Sequence, residues 1–282
     1  MSKISVTKYS GEKEVYDEDK LRRSLSRAGG EKKIIDKIAN DVRDELYDGI
    51  STKKIYEEAY RQLKKFSSRS GGRYKLKNSL MELGPSGYPF EKFVAELLNQ
   101  IGYQAQTGIT AQGRCASHEI DIVAEKENAV YLIECKFHNS KGKKSDVKVP
   151  LYIQSRFQDV EQKWRTLPEY KNKEHHGWVV TNTRFTSEAL KYGTCSGLKM
   201  MSWDYPEGDS LRDLIDQAGL HPVTSIPSLS KKDKRRLLEM DIVLCKHVQE
   251  NIDIMQNSGI PSDKIKRILK EASAICNSNR DH

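Results

Sequence analysis

The segment EIDIVAEKENAVYLIECK, Glu119–Lys136, constrains the fold more than any other part of the chain. Two runs rich in Ile, Val and Leu flank the polar AEKENA, the pattern of two strands joined by a turn. Alternate side chains of a strand share a face, so Val130, Leu132, Glu134 and Lys136 lie on one side and Ile133, Cys135 and Phe137 on the other. Asp121 falls on the neighbouring strand. An apolar strand pair gains nothing from two carboxylates and an ammonium group unless these meet one another. Glu134 and Lys136 stand at the strand's end, where a sheet gives way to solvent. Two carboxylates converging there make a hard-oxygen site that suits Mg2+ or Mn2+. A lysine beside them serves as a donor to phosphate or a positioner of water.

Around this pair the chain reads as an α/β domain. YPFEKFVAELLNQIGY carries a helical stripe of Phe90, Phe93, Val94, Leu97, Leu98 and Ile101. A basic loop over residues 138–148 leads to a helix in VPLYIQSRFQDVEQKWRTL. HGWVVTNTRFTSEALKYG predicts a strand, a turn and a helix capped by Thr186 or Ser187, and LKMMSWD a last short strand. His175 and His176 read as surface residues in a charged loop.

GPSG at residues 84–87 marks a boundary. Before it, alternation around Ser10-Gly11 predicts a hairpin, and Asp17 caps a helix ended by Gly29-Gly30. A second amphipathic pattern covers 32–46, and Ser51 or Thr52 opens a third helix to Leu63. SSRSGG (67–72) reads as a loop ahead of a fourth helix. After the α/β domain, Ser230 and Asp233 have capping-box spacing ahead of a long helix to about Met255. Gly259 and Pro261 interrupt, a last helix ends near Ile275, and CNSNRDH frays. The stripe of Leu237, Leu238, Met240, Ile242, Val243 and Val248 is expected to pack on the α/β core. KKDKRR (231–236) either touches nucleic-acid phosphates or is a solvated first turn. The expected division is therefore a mainly helical domain at 1–83, an α/β domain with a mixed central sheet at 84–205, and a helical extension at 206–282.

A net charge of +8 on 282 residues favours a polyanionic partner, nucleic acid or nucleotide. The five cysteines form no CxxC pair, which argues against a zinc site or a disulfide framework and fits a reducing cytoplasm. No apolar run approaches the ~18 residues of a membrane span, and MSKISVTKYSGEKE reads as too polar for a signal peptide.

GYPFEKFVAELLNQIGY, EIDIVAE and YLIECK together resemble the PD-(D/E)xK nucleases, in particular the Mrr-type restriction endonucleases and archaeal Holliday-junction resolvases, over residues 84–204. The resemblance implies a metal-dependent DNA endonuclease. By position it makes Asp121 and Glu134 metal-binding acids and Lys136 the catalytic lysine. It adds Glu91 as a further acid near the metal and Gln154 as a glutamine of the following helix. The proline usual before the metal Asp is absent, and CASHEID replaces a Gly-rich approach, departures that bear on substrate choice.

VTKYSGEKEVYDEDKL followed by YDGISTKKIYEEA is similar to the ATP-cone, a small nucleotide-binding module of ribonucleotide reductases and their regulator. The resemblance implies ATP or dATP as an allosteric ligand. By position it gives Val6, Lys8, Glu14, Asp17, Lys20, Leu21, Thr52 and Tyr56 as nucleotide contacts, with Lys8 toward phosphate and Lys20 toward base or ribose. Tyr9 stands where a second basic residue is common. There is no GxxxxGK[ST] sequence, so a hydrolysing P-loop is not expected. Two other readings fit the same residues: a DNA- or junction-binding protein that keeps the nuclease fold, and a nucleotide-responsive regulator. A homo-oligomer is compatible with either.

Overall fold

The apolar alternation on either side of Gly11 forms an antiparallel pair, β1 (Ser5–Thr7) and β2 (Lys13–Val15), in a computed structural model describing residues 4–9, 11–140 and 142–276. Ser10 of the expected turn and the CNSNRDH residues from Asn277 on lie outside the described residues. Asp17 caps α1 (Glu18–Arg27) by accepting from the Lys20 amide at 3.2 Å. α2 (Lys32–Asp44) follows, then β3 (Ile50–Ser51), which pairs parallel to β1. Ser51 caps α3 (Thr52–Phe66). Leu25, Ile38 and Leu63, one from each helix, are fully buried together, each contributing about 1.5–3 kcal/mol by leaving water.

SSRSGG is not a loop. Ser67 caps a further helix, α4 (Ser68–Tyr74), followed by α5 (Leu76–Met81). Glycine is a poor helix former in isolation, but close packing demands it here. A Cβ on Gly72 would lie 2.7 Å from Ile275 Cδ1 and 3.3 Å from the Ser225 carbonyl oxygen. Local propensity marked a break where tertiary contact imposes a helix.

The α/β segment begins with α6 (Tyr88–Gln100), whose stripe buries Phe90, Phe93, Val94, Leu97 and Leu98. β4 (Gln104–Gln112), β5 (Ser117–Lys126) and β6 (Ala129–Lys136) make an antiparallel meander. β7 (Lys144–Ser145) interrupts the basic loop before α7 (Lys148–Trp164). Then come β8 (Glu174–Thr181), β9 (Arg184–Phe185), α8 (Ser187–Cys195, capped by Thr186), β10 (Lys199–Met201) and α9 (Leu211–Ala218). The central sheet has the order β10-β8-β6-β5-β4, with β6-β8 and β8-β10 parallel. It is a mixed sheet, as expected. Val130 and Leu132 pack with Val160 and Trp164 of α7 on one face. The His175-His176 expectation fails: both lie in β8, where His175 is buried and bonds the Tyr170 carbonyl oxygen. His176 stacks on Tyr131.

A 3-10 turn (Val223–Ser225) opens the C-terminal part, followed by α10 (Lys231–Glu239), α11 (Cys245–Glu250), α12 (Ile252–Asn257) and α13 (Ser262–Cys276). The Ser230–Asp233 capping box is formed, but the long helix to Met255 is broken. Asp241 takes a left-handed φ of 63°. The chain then runs extended, with the Val223 amide donating to Val243 O (2.9 Å) and the Cys245 amide to His221 O (2.8 Å). Of KKDKRR, Lys231, Lys232 and Arg235 are exposed, whereas Lys234 is buried.

Residues up to Ser79 together with those from His221 on form one compact unit, and Leu80–Leu220 form the other. The C-terminal stripe is thus buried inside the unit it builds with the N-terminal residues, not on the α/β core. α13 packs on α4, and the Thr224 hydroxyl donates to Ser79 O at 2.6 Å. Apolarity showed that the stripe needs a partner; it carries no information about which one.

Candidate active site

β5 and β6 pair in register down to Ile122 opposite Ile133. One step further, Asp121 comes across from Glu134, and there the backbone ladder ends. The Cys135 amide donates to Asp121 Oδ2 instead, at 2.7 Å. The carboxylate therefore replaces a strand partner at the point where the two strands part.

Glu134 continues the face of Val130 and Leu132, so it turns toward α7. It is 6% exposed, too buried for the surface ion pair that a Glu-x-Lys step on a strand edge ordinarily makes. Both its oxygens are engaged. Oε1 accepts from Lys136 Nζ, and Oε2 accepts from Arg156 Nη1 at 2.9 Å. Lys136, with 34% of its side chain exposed, faces outward. Arg156 was not anticipated. A signal was present: Arg156 lies three residues after Ile153 and four before Val160, both buried positions of α7, so a charge sits inside an apolar stripe.

Glu91 lies in the first turn of α6, where the helix dipole favours an acid. Burial raises its carboxyl to about 7, with the charges of Asp121, Glu134 and Glu119 adding to the effect. Burial likewise raises Asp121 to about 6, with Glu134 adding to it, against the Cys135 amide, Lys136 and Arg156. Three acids thus crowd one place, and Glu91 and Asp121 resist ionisation beside the others. Gln154 of α7 makes no hydrogen bond to them among the described residues. Its Oε1 is buried without a hydrogen-bond partner among the described residues.

Among the described residues no three carboxylate, imidazole or thiol groups stand ready as a metal cage. The donor set nevertheless fits a small hard cation. Mg2+ typically takes one or two carboxylates and keeps several waters, and mutual repulsion of the acids is what a cation relieves. His118 is committed elsewhere, with Nε2 2.8 Å from Asp159 Oδ2. His138 Nε2 is 3.0 Å from Ser145 Oγ.

In the first unit a cavity of about 240 Å3 is lined by Val6, Glu14, Asp17, Lys20, Leu21, Thr52 and Tyr56, seven of the eight expected contacts. Lys8 is 2.8 Å from Glu14, and Lys20 is 3.7 Å from the same carboxylate. The Lys8 hydrogen bond holds the Glu14 carboxyl below its usual range. Tyr16, Ser24, Ile55 and Tyr74 also line this cavity. Tyr74 stacks on Tyr56, with centroids 5.0 Å apart and planes at 13°. It stands at the end of α4, just past the stretch that the sequence reads as a loop, and nothing local in the sequence marks it as facing Tyr56.

The restriction endonuclease family (Mrr type, catalytic part) matches residues 84–207, the ATP cone domain family residues 4–78, and the family described as AF1548-like, C-terminal, residues 221–276. A protein of Archaeoglobus fulgidus, named only as uncharacterized, is 34% identical over 183 residues, 64% of this chain and 99% of its own length. The chain belongs to the AF1548-like family. The crystal structure of a protein of unknown function, AF1548, superposes with a TM-score of 0.56 at 33% identity, covering 67% of this chain and 98% of that one. The chain therefore carries an ATP cone domain and a restriction endonuclease domain, and its C-terminal helices are the family's own.

Proposed function

We propose that the chain is a metal-dependent DNA endonuclease whose activity responds to ATP or dATP at the cone. The observation that carries this reading is the meeting of Asp121, Glu134 and Lys136 where β5 and β6 part. Asp121, Glu134 and Glu91 would hold Mg2+ or Mn2+. When bound, the cation supplies charge neutralisation at the phosphate and an acidified water. Lys136, half-exposed beside Glu134, orients the attacking water or donates to a phosphate oxygen. Gln154 is assigned a supporting place on α7. The net charge of +8 favours approach of DNA.

Val6, Lys8, Glu14, Asp17, Lys20, Leu21, Thr52 and Tyr56 form the nucleotide site. Glu14 holds both lysines there and yields them to phosphate. The functional division we assign is 1–83 for nucleotide, 84–205 for cutting and 206–282 as an extension. No helix of the described residues is long and apolar enough to cross a membrane, and we place the protein in the cytoplasm.

The test is an assay in Mg2+ on plasmid, branched and methylated DNA, with and without ATP and dATP. Asp121→Ala, Glu134→Ala and Lys136→Ala serve as controls. Cleavage of none of these substrates by the wild-type chain, or equal cleavage by all three variants, refutes the reading.

A further inference from the structure

Glu134 and Arg156 form a pair that a metal site has no place for in its working state. A carboxylate that is to hold a divalent cation has both oxygens occupied by side-chain cations. Arg156 is 13% exposed in its side chain, and its Nη2 also donates to the Glu119 carbonyl oxygen. Its Nε is buried and has no hydrogen-bond partner among the described residues. The guanidinium, with five donors, is thus under-used where it stands.

Two neighbours set where it can go. On the inner side, the void bordered by Ile120, Leu132, Ile153 and Phe157 is only about 10 Å3. This is about one water-sized sphere and too small for a guanidinium. On the outer side lies Tyr152, whose ring is 5.4 Å from the guanidinium carbon and which is 61% exposed. Movement away from Glu134 therefore leads toward the surface, along an aromatic face that suits a guanidinium.

We propose that Arg156 is an exchangeable counter-cation of the site. It neutralises Glu134 in the cation-free chain, and when a divalent cation takes Glu134 it turns outward to bind a backbone phosphate of DNA. This rests on the endonuclease reading and adds a phosphate contact that neither the sequence pattern nor the family matches assign. The guanidinium fork is matched to phosphate oxygens. The exchange makes cation and DNA binding mutually supportive, because each removes a cost of the other.

The test uses the full chain and Ca2+, which permits binding without cutting. Ca2+ affinity in the absence of DNA is measured by calorimetry, and duplex affinity in Ca2+ by fluorescence anisotropy across a salt series. Arg156→Ala and Arg156→Gln remove the competing charge, and the glutamine keeps a donor for the Glu119 carbonyl oxygen. Both variants should bind Ca2+ about 3- to 10-fold more tightly. Both should bind DNA about 10-fold more weakly, with the log–log salt slope shallower by about 0.9, one phosphate contact. Arg156→Lys should return Ca2+ affinity to near the wild-type value and restore part of the DNA affinity. A merely structural arginine would lower both affinities together, which refutes the proposal. So would DNA affinity and salt slope that stay unchanged. A wild-type chain that neither binds Ca2+ nor cuts in Mg2+ removes the endonuclease reading itself. Variants indistinguishable from a wild type that does both remove only this inference.

Discussion

His221 opens the C-terminal part of the first unit and is 1% exposed. Neither ring nitrogen has a hydrogen-bond partner among the described residues. Burial, reinforced by the charges of Arg73 and Arg69, lowers its pKa from 6.5 to about 3. The imidazole is thus neutral in the folded unit, and opening lets it take up a proton. Its folded value lies below its free value, so its contribution is complete above pH 6.5 and is lost as the pH falls from 6.5 toward 3. At about pH 4.5, two units below the free value at about 1.4 kcal/mol per unit, the opening free energy should drop by about 3 kcal/mol. Two amides report it directly: Val223, bonded to Val243 O, and Cys245, bonded to His221 O. Their hydrogen exchange, corrected for intrinsic rates, should accelerate on the order of 10²-fold between about pH 7.5 and 4.5. His221→Leu, of similar volume, loses no hydrogen bond of the ring and should abolish most of this acceleration while remaining folded at neutral pH. The comparison matters because acid also protonates carboxylates elsewhere. If wild type and variant accelerate equally, His221 is not the acid-sensitive element and its neutral burial is wrong.

Asp121→Ala, Glu134→Ala and Lys136→Ala should each lower cleavage on the order of 10²-fold or more in a plasmid assay, with melting temperatures showing that the chain still folds. DNA affinity should fall with salt at a slope of about −0.9 per phosphate contact; a titration flat between low and moderate salt contradicts phosphate-led binding. Lys8→Ala and Lys20→Ala should weaken ATP and dATP binding in calorimetry and erase any effect of nucleotide on DNA affinity. In the wild type that effect must be reciprocal, at about 5- to 150-fold. Gly72→Val should destabilise the first unit by about 1–3 kcal/mol in urea, because a Cβ there already meets Ile275 Cδ1 at 2.7 Å. Ile275→Ala in the same chain should recover part of the loss.

What was legible in the sequence was local. Asp17, Ser51, Thr186 and Ser230 cap helices where the chain spells a cap, because an N-cap needs only its own next three residues. The hairpin of β5 and β6 follows from alternation, and the register that opposes Asp121 to Glu134 follows from the hairpin. What failed was non-local. Gly72 of α4 is tolerated because Ile275, some two hundred positions later, packs on it. The break after α10 arises where Val243 and Cys245 pair with the 221–223 segment. Arg156 escaped notice because a charge in an apolar stripe becomes informative only once the carboxylate facing it is known.

The first unit is discontinuous in the chain: it is left at Ser79 and resumed at His221. During synthesis the whole of Leu80–Leu220 leaves the ribosome before the helix on which α4 packs exists. The 203 residues after Ser79 occupy about 10–40 s of translation. Throughout that interval α4, which supplies Tyr74 to the cone cavity, lacks its packing surface on α13. Each newly made chain therefore passes through a period in which the restriction endonuclease domain is entire and the ATP cone domain still lacks its packing on α13.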